Sequence, residues 1–404
     1  MTSKNIIIGV TGGIAAYKAL DVVSYFRKQN HNVHVIMTKN ATKFVSALTF
    51  ETLSNNKVSI DTFDRNHQYN VEHVSLANKS DVFCIVPATA NFIAKVANGI
   101  ADDMLTTTFL ACHCTKIICP AMNTNMYNNP ITLSNISKCK DYGMLFIDSE
   151  SGILACGDVG KGRLASTSDI IDYINYQLKP QTLKEKKILI SAGATQESID
   201  PVRIITNHST GKMGFALAKM ARCLGGEVTV VSANTHIPLA FDINKIDVSS
   251  AKNMFDTISS IYKEYDYIIM ASAVSDFTPI KYEDEKIKKD GSELSIQLKK
   301  TEDILKYIGE HRIDKQVICG FAMESSNMIE NAINKLNKKK IDIIVANNIK
   351  NPQAGFAKDT NVATIITKNY QENFDVMSKE ELGLIILNKM KEIDDVINDW
   401  CWKY

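Results

Sequence analysis

Up to Leu178 the chain alternates short apolar runs with amphipathic stretches. Ile6 to Val10, Val33 to Met37, Val82 to Val86 and Lys116 to Cys119 are each a strand's length and rich in β-branched residues. Runs of this kind predict strands buried on both faces. Between them, Ile14 to Gln29, Ala90 to Val96 and Met104 to Ala111 carry helical spacing, and Asp169 to Leu178 reads as a closing helix. Lys179 to Lys187 is polar, charged and interrupted by Pro180, which predicts a linker. The rhythm then restarts. Lys187 to Ser191 reads as a strand, Lys212 to Leu224 as a helix stopped by Gly225-Gly226, and Glu227 to Val231 as the next strand. Tyr267 to Ala271, Gln316 to Cys319 and Ile341 to Val345 continue the series. The pattern predicts an α/β chain of two tandem Rossmann-like domains with parallel sheets, residues 1–178 and 188–404, joined by 179–187.

A length of 404 residues agrees with more than one domain. The net charge of +1 removes the electrostatic case for nucleic acid or an anionic membrane as partner. No apolar run is long enough to span a bilayer, and the N-terminus enters a strand where a signal peptide would stand. Nine cysteines, an odd number without framework spacing, point to reduced thiols and a cytoplasmic protein. Cys112-His113-Cys114 has no second Cys/His pair at zinc-like spacing and is set aside as a metal site.

Candidate chemistry gathers where strands end. Gly9 to Lys18 places Gly12 and Gly13 between the first strand and first helix, where backbone N–H groups approach a phosphate. The spacing is not the dinucleotide fingerprint, which disfavours a nicotinamide dehydrogenase, and a plain tight turn would also need these glycines. Thr38 follows the second strand, and Pro87-Ala88-Thr89-Ala90-Asn91 ends another. Three strand ends meeting at one crevice suit a phosphate-bearing cofactor. Pro120 to Met126 sets Asn123 just past a strand, and Gly152 to Arg163 holds Cys156 in a glycine-rich loop that can fold over a ligand. His73, in a half-apolar segment, would by itself be structural.

Together, Gly9 to Lys18, His73, Pro87 to Asn91, Pro120 to Met126 and the Cys156 loop resemble the flavin-containing cysteine decarboxylase family, most closely its phosphopantothenoylcysteine decarboxylases. The resemblance implies bound FMN, held by Gly12, Gly13, Thr38, Ala88, Thr89 and Asn91. It implies His73 beside the flavin, Asn123 on the substrate carboxylate and Cys156 as late proton donor. The chemistry needs such a set: losing carbon dioxide directly would leave an unstabilised carbanion. Oxidising the thiol to a thioaldehyde first provides an electron sink, and a thiol then protonates carbon as the electrons return. The glycine loop reads Gly-Gly-Ile where many relatives have Gly-Ser-Ile.

In the second half, Asp200 to Gly214 leads through Ser209-Thr-Gly-Lys-Met into a helix, an arrangement suited to an anion though without Walker spacing. Ala271 to Phe277 exposes Asp276 at a strand end, Phe321 closes another strand, and Lys335 and Lys339 lie one helical turn apart. Asp200 to Gly214, Ala273 to Phe277 and Lys286 to Lys289 resemble phosphopantothenate–cysteine ligases, which in bacteria are fused behind the decarboxylase in this order. Thr210 stands where a serine is usual and keeps the hydroxyl. The resemblance implies amide synthesis from 4′-phosphopantothenate, L-cysteine and CTP through an acyl-cytidylate. Asn207 would hold that intermediate and Lys286 would assist the attack by cysteine. Ala271, Ser272, Ala273, Asp276, Lys286, Glu302, Asp303, Ile304, Leu305, Phe321, Lys335 and Lys339 would bind CTP, with Mg2+ at Asp276.

The resemblance further implies a homo-oligomer, up to a dodecamer with trimeric decarboxylase and dimeric ligase contacts. Two other classes share the first fold. A flavin prenyltransferase has no need of the Cys156 loop or of a ligase domain, and a non-catalytic flavoprotein binding module would lose members of the His73, Asn123 and Cys156 set.

Overall fold

The computed structural model describes residues 3–64, 71–153, 159–240, 242–288, 294–324, 328–348 and 358–401. The chain divides into two compact units, Met1–Lys179 and Pro180–Tyr404. The segment expected as a linker falls in the second unit beyond its first residue, and most of it is exposed. Leu183, its one apolar residue apart from the proline, is buried in the second unit, and its N–H donates to the Leu224 carbonyl at 2.8 Å.

In the first unit, β1 (Asn5–Val10), β2 (Asn32–Met37), β3 (Val82–Ala88), β4 (Thr115–Pro120) and β5 (Leu145–Phe146) form a parallel sheet in the order β2-β1-β3-β4-β5. Alternate side chains serve opposite faces. Ile6, Ile8 and Val10 pack under Ala19–Lys28 and Thr167–Leu178, through Val22, Phe26, Ile170 and Ile174. Ile7 faces the other layer, with Phe83, Ile85, Phe92 and Phe109. Continuous apolar runs are what two covered faces require. The order reverses between β1 and β3, which opens a crevice at their carboxyl ends. A separate antiparallel pair, β6 (Glu150–Ile153) and β7 (Val159–Arg163), follows.

The second unit carries β8 (Lys187–Gly193), the pair β9 (Gln196–Ser198) and β10 (Ile204–Thr206), then β11 (Glu227–Ala233), β12 (Asn244–Val248) and β13 (Tyr267–Met270). There follow the pair β14 (Phe277–Pro279) and β15 (Leu298–Lys300), then β16 (Val317–Glu324), β17 (Ile343–Asn348), β18 (Thr360–Thr367) and β19 (Gln371–Ser378). Eight of these form one sheet, ordered β12-β11-β8-β13-β16-β17-β18-β19. It is parallel as far as β17; β18 and β19 close it as an antiparallel edge. Its switch point lies between β8 and β13.

The last helix, Lys379–Cys401, places Leu382, Ile386, Leu387 and Met390 in one core with Leu217, Ala218 and Met220 of Lys212–Cys223. Asp394, on that helix, is buried. It accepts from the Tyr267 hydroxyl at 3.0 Å and from Asn398 at 3.0 Å, and pairs with Lys186 at 2.7 Å. Burial, and then the Asp394 charge, raise the Tyr267 phenol above its usual value.

Removing one partner of a buried pair strands the other. Asp394→Ala is therefore expected to destabilise the second unit by about 3 kcal/mol, read from urea unfolding. A second expectation concerns His34, on the edge strand β2. Burial, with Lys79 adding, lowers its imidazole to about 4. The unfolded chain therefore binds that proton first as pH falls from about 6.5 toward 4, and the first unit loses stability over that window. His34→Gln should flatten the decline, a difference of up to about 2 kcal/mol after allowing for solvent screening.

Candidate active sites

Thr11 follows β1 and is buried. Its hydroxyl donates to the Pro87 carbonyl at 2.7 Å and accepts from the Thr89 N–H at 3.0 Å, so it ties the carboxyl end of β1 to that of β3. Thr89 in turn caps the helix Ala90–Ala97, accepting from the Phe92 N–H at 3.4 Å. A Cβ on Gly12 would stand 2.4 Å from the Asn40 Cβ, so glycine lets the turn after β1 close on the turn after β2. There the Thr38 hydroxyl accepts from the Ala41 N–H at 3.2 Å.

These turns enclose a cleft of about 720 Å³, lined by Thr11, Gly12, Thr38, Asn40, Thr89 and Asn91, with Lys95, Asp102, Asp103 and Met126 further round. That is the size and place expected of a small-molecule site. Lys95 bridges Asp102 at 2.6 Å and Asp103 at 3.2 Å. Partial burial pulls its ammonium down, but those hydrogen bonds outweigh burial and raise it.

Of the residues expected to hold flavin, Gly12, Thr38, Thr89 and Asn91 line the cleft. Gly13 and Ala88 do not. Gly13 opens the short helix Ile14–Lys18, and the Ala88 methyl is buried in the core with Phe92 and Ile93, which leaves only its backbone for a ligand. His73 is half-buried in the first turn of Glu72–Lys79 and is not on the lining. Its neighbour Glu72 accepts from the Ser59 hydroxyl, which fastens the helix to the segment that continues into the lining residues Ile60 to Phe63.

Asn123 caps Thr124–Tyr127, its side-chain oxygen accepting from the Asn125 N–H at 2.8 Å, and it too is not on the lining; Met126, in the turn it caps, is. Cys156 lies outside the described residues. The strands on either side of it are paired, with Ile153 opposite Val159. β7 rests on the Asn123 turn: the Met122 N–H donates to the Gly162 carbonyl at 3.0 Å, and a Cβ on Gly160 would be 2.7 Å from the Thr124 methyl. The amide turn and the hairpin that carries the thiol are thus neighbours. Thr11, Lys95, Asp102, Asp103 and Met126 were not foreseen. Only Thr11 left a signal, a hydroxyl directly after an apolar run.

In the second unit the carboxyl ends of β8, β13 and β16 converge. The Ala273 N–H donates to the Gly193 carbonyl at 2.8 Å, and the Asn207 amide donates to the Ala273 carbonyl at 3.2 Å. Gly211, at φ +82°, begins Lys212–Cys223, and a Cβ there would stand 3.2 Å from the Gly193 nitrogen. Ser272 and Ser191 share a hydroxyl hydrogen bond of 2.7 Å. Lys335 donates to the Phe321 carbonyl at 2.8 Å, while Lys339 pairs with Asp303. Burial lowers the Lys339 ammonium, and attraction to Asp276 opposes it.

The structure therefore brings Asn207, Ala273 and Ser272 together, and gathers Asp276, Asp303 and Lys339 into one charged cluster. Glu302 is exposed beside Asp303, which caps Ile304–His311 by accepting from the Lys306 N–H at 3.0 Å. The Ile304 side chain is core, packed with Ile308 and Leu336, which leaves its backbone for a ligand. Leu305 is half-buried beside it. Lys286 is exposed. Among the described residues no group of three His, Cys, Asp or Glu could hold a metal ion. Cys112 and Cys114 instead flank the Ser80 hydroxyl, at 3.6 and 3.2 Å.

Residues 1–179 match the Flavoprotein family and residues 183–393 the DNA/pantothenate metabolism flavoprotein C-terminal domain. A coenzyme A biosynthesis bifunctional protein CoaBC of Bacillus subtilis (strain 168) is 42% identical over 399 residues, 96% of this chain and 97% of that protein. Its namesake from Borreliella burgdorferi is 41% identical over 388 residues, 95% of this chain and 98% of the other. A cysteine/cysteine sulfinic acid decarboxylase from an unknown prokaryotic organism is 41% identical over 353 residues, 86% of this chain and 98% of its own length.

Thr11→Val keeps the shape at the crevice but leaves the Thr89 N–H without its acceptor. A loss of about 1–3 kcal/mol in the first unit is expected by thermal unfolding, against little change for Thr49→Val at an exposed position.

Proposed function

The chain belongs to the bifunctional coenzyme A biosynthesis proteins, a flavoprotein decarboxylase followed by a phosphopantothenate–cysteine ligase, and we propose how its two clefts divide the work. The second unit joins 4′-phosphopantothenate to L-cysteine at the expense of CTP; the first decarboxylates the product to 4′-phosphopantetheine. The observation that carries this reading is the contrast between the two crevices. The first has hydroxyls, amides and backbone at its strand ends, with Lys95 paired to Asp102 and Asp103 further round; in the second, Lys339 pairs with Asp303 within reach of Asp276, beside Lys335.

FMN, when bound, supplies a reversible two-electron oxidation of the cysteinyl thiol. The first cleft fits it, with hydroxyls at three strand ends and the N-terminus of Ala90–Ala97 for its phosphate. Thr38, Thr89, Asn91 and the Gly12 backbone would hold it, with Gly13 and Ala88 contributing backbone only. His73 would lie beside the ring and the substrate, Asn123 would grip the carboxylate before it leaves, and Cys156 would give a proton to carbon afterwards.

In the second unit a carboxylate must become an electrophile. Attack on the α-phosphate of CTP makes an acyl-cytidylate and releases pyrophosphate, and the cysteine amine then expels CMP. Asn207 holds the activated acyl group. Lys286, Lys335 and Lys339 offset the phosphate charge, while Ala271, Ser272, Ala273, Glu302, Asp303, Ile304, Leu305 and Phe321 frame the nucleoside. Mg2+ would arrive with the triphosphate and take Asp276 as a protein ligand, since phosphate and water oxygens supply the rest. Exposed Ile14, Tyr17, Phe44 and Leu48 support self-association of the first unit, which we read as part of a homo-oligomer, up to a dodecamer. No helix among the described residues is long and apolar enough to cross a membrane, and we read the enzyme as cytoplasmic.

Two outcomes test this. Purified protein should show a flavin absorption spectrum, and Cys156→Ser should release carbon dioxide from 4′-phosphopantothenoylcysteine yet form little 4′-phosphopantetheine; a colourless protein that cannot be loaded with FMN would sink the first half. Pyrophosphate release should require 4′-phosphopantothenate and prefer CTP to ATP by about tenfold or more, a difference of roughly 1.4 kcal/mol in transition-state binding. Release without the acid would sink the second half.

A further inference from the structure

We propose that Asp200 is a positioning residue for the ligase: through the backbone of Ile287 it holds Lys286 at the nucleotide, a role that rests on the reading of Lys286 given above. One carboxylate oxygen accepts from the Val202 N–H at 2.7 Å and the Arg203 N–H at 2.8 Å, which shapes the turn between β9 and β10. The other accepts from the Ile287 N–H at 3.1 Å and from the Arg203 guanidinium. Arg203 then donates to the Ile287 carbonyl at 3.1 Å. Both backbone groups of Ile287 are therefore bound to one acid–base pair more than eighty residues earlier, at separations of 87 and 84 positions.

A turn residue needs only the first two bonds. The other contacts do something different: they fasten a distant loop. A further tie, from the Glu283 N–H to the Ile199 carbonyl at 3.0 Å, lands on the same turn. Lys286 is held on both sides, at Glu283 and Ile287, while its own side chain is exposed. The same turn leads through β10 to Asn207. Ile199 to Asn207 thus carries one candidate catalytic group itself and orients the other.

The Asp200 side chain is fully buried. Burial pushes its carboxyl up, but the N–H groups of Val202, Ile287 and Arg203, then the guanidinium, outweigh it and hold it at about 2. The clamp is charged at any working pH. Charge-assisted hydrogen bonds of this kind are the strong ones, and misplacing a reacting group by about 1 Å costs on the order of a hundredfold in rate.

The test uses the full-length enzyme and two readouts. In Asp200→Asn, amide hydrogen exchange over residues 283–288 should rise about tenfold or more as the Ile287 N–H loses its charged acceptor. The kcat for cysteine-dependent amide formation should fall about ten- to a hundredfold, with the KM for CTP rising no further than it does in Lys286→Ala. Adding Lys286→Ala should cost no more than Lys286→Ala alone, because both remove the same contribution. Unchanged exchange, or losses that multiply in the double variant, would overturn the proposal. If Lys286→Ala is itself fully active, the reading of Lys286 has failed, and the positioning role falls with it. Should Asp200→Asn not fold, Arg203→Lys keeps the charge but cannot span both Asp200 and Ile287. It should raise exchange over the same residues, and protection equal to the parent's would count against the clamp.

Discussion

A parallel strand covered on both faces has little room for polar side chains along its length, and this constraint organises both units. In β1, Ile6 to Ile8 are sealed from solvent, as are Val82 to Val86 in β3. A polar group buried there needs a partner, as Ser191 finds in Ser272 near the end of its strand. What remains is the carboxyl edge, where the chain leaves the sheet and its N–H groups and hydroxyls come free to meet a ligand. Each sheet reverses its winding once, between β1 and β3 in the first unit and between β8 and β13 in the second. Gly12, Thr38, Thr89 and Asn91 line the crevice at the first reversal, and the Asn207 amide meets the Ala273 carbonyl at the second.

The two crevices differ because their turns differ. In the first, Thr11 spends its hydroxyl joining two strand ends, and Gly12 brings a third turn within contact distance of Asn40. The strand-end side of that cleft is hydroxyl, amide and backbone, and Lys95 is held between Asp102 and Asp103 further round. In the second, Lys339 pairs with Asp303 and is attracted to Asp276, and Asp200 with Arg203 reaches across to Ile287.

The sheets were readable in the chain because their apolar runs are continuous and end in glycine, threonine or proline. β5, β12, β18 and β19 were not; most of Gln371–Ser378 is exposed and carries no apolar stripe. The long helix Lys379–Cys401 was missed as well; its core face shows only against Lys212–Cys223. At the sites, Gly12, Thr38 and Thr89 could be found because each directly follows a strand. Lys95, Asp102 and Asp103 could not, because their position depends on how separate connections meet. His73 drew its meaning from resemblance, while Asn123 stood out as an amide just past a strand; neither is on the cleft lining, although Met126, in the turn that Asn123 caps, is. Nothing in the sequence singles out the partner of Asp200, which lies 87 positions away.

If one chain runs the two reactions in sequence, the carboxyl carbon of cysteine must pass through the ligase before it is released. The most direct measurement follows cysteine labelled at that carbon, incubated with the flavin-loaded enzyme. The account predicts labelled carbon dioxide only when CTP and 4′-phosphopantothenate are both present, in amounts matching the pyrophosphate formed. Labelled carbon dioxide from cysteine alone, at an undiminished rate without CTP, would contradict it and mark the first unit as a decarboxylase of the free amino acid.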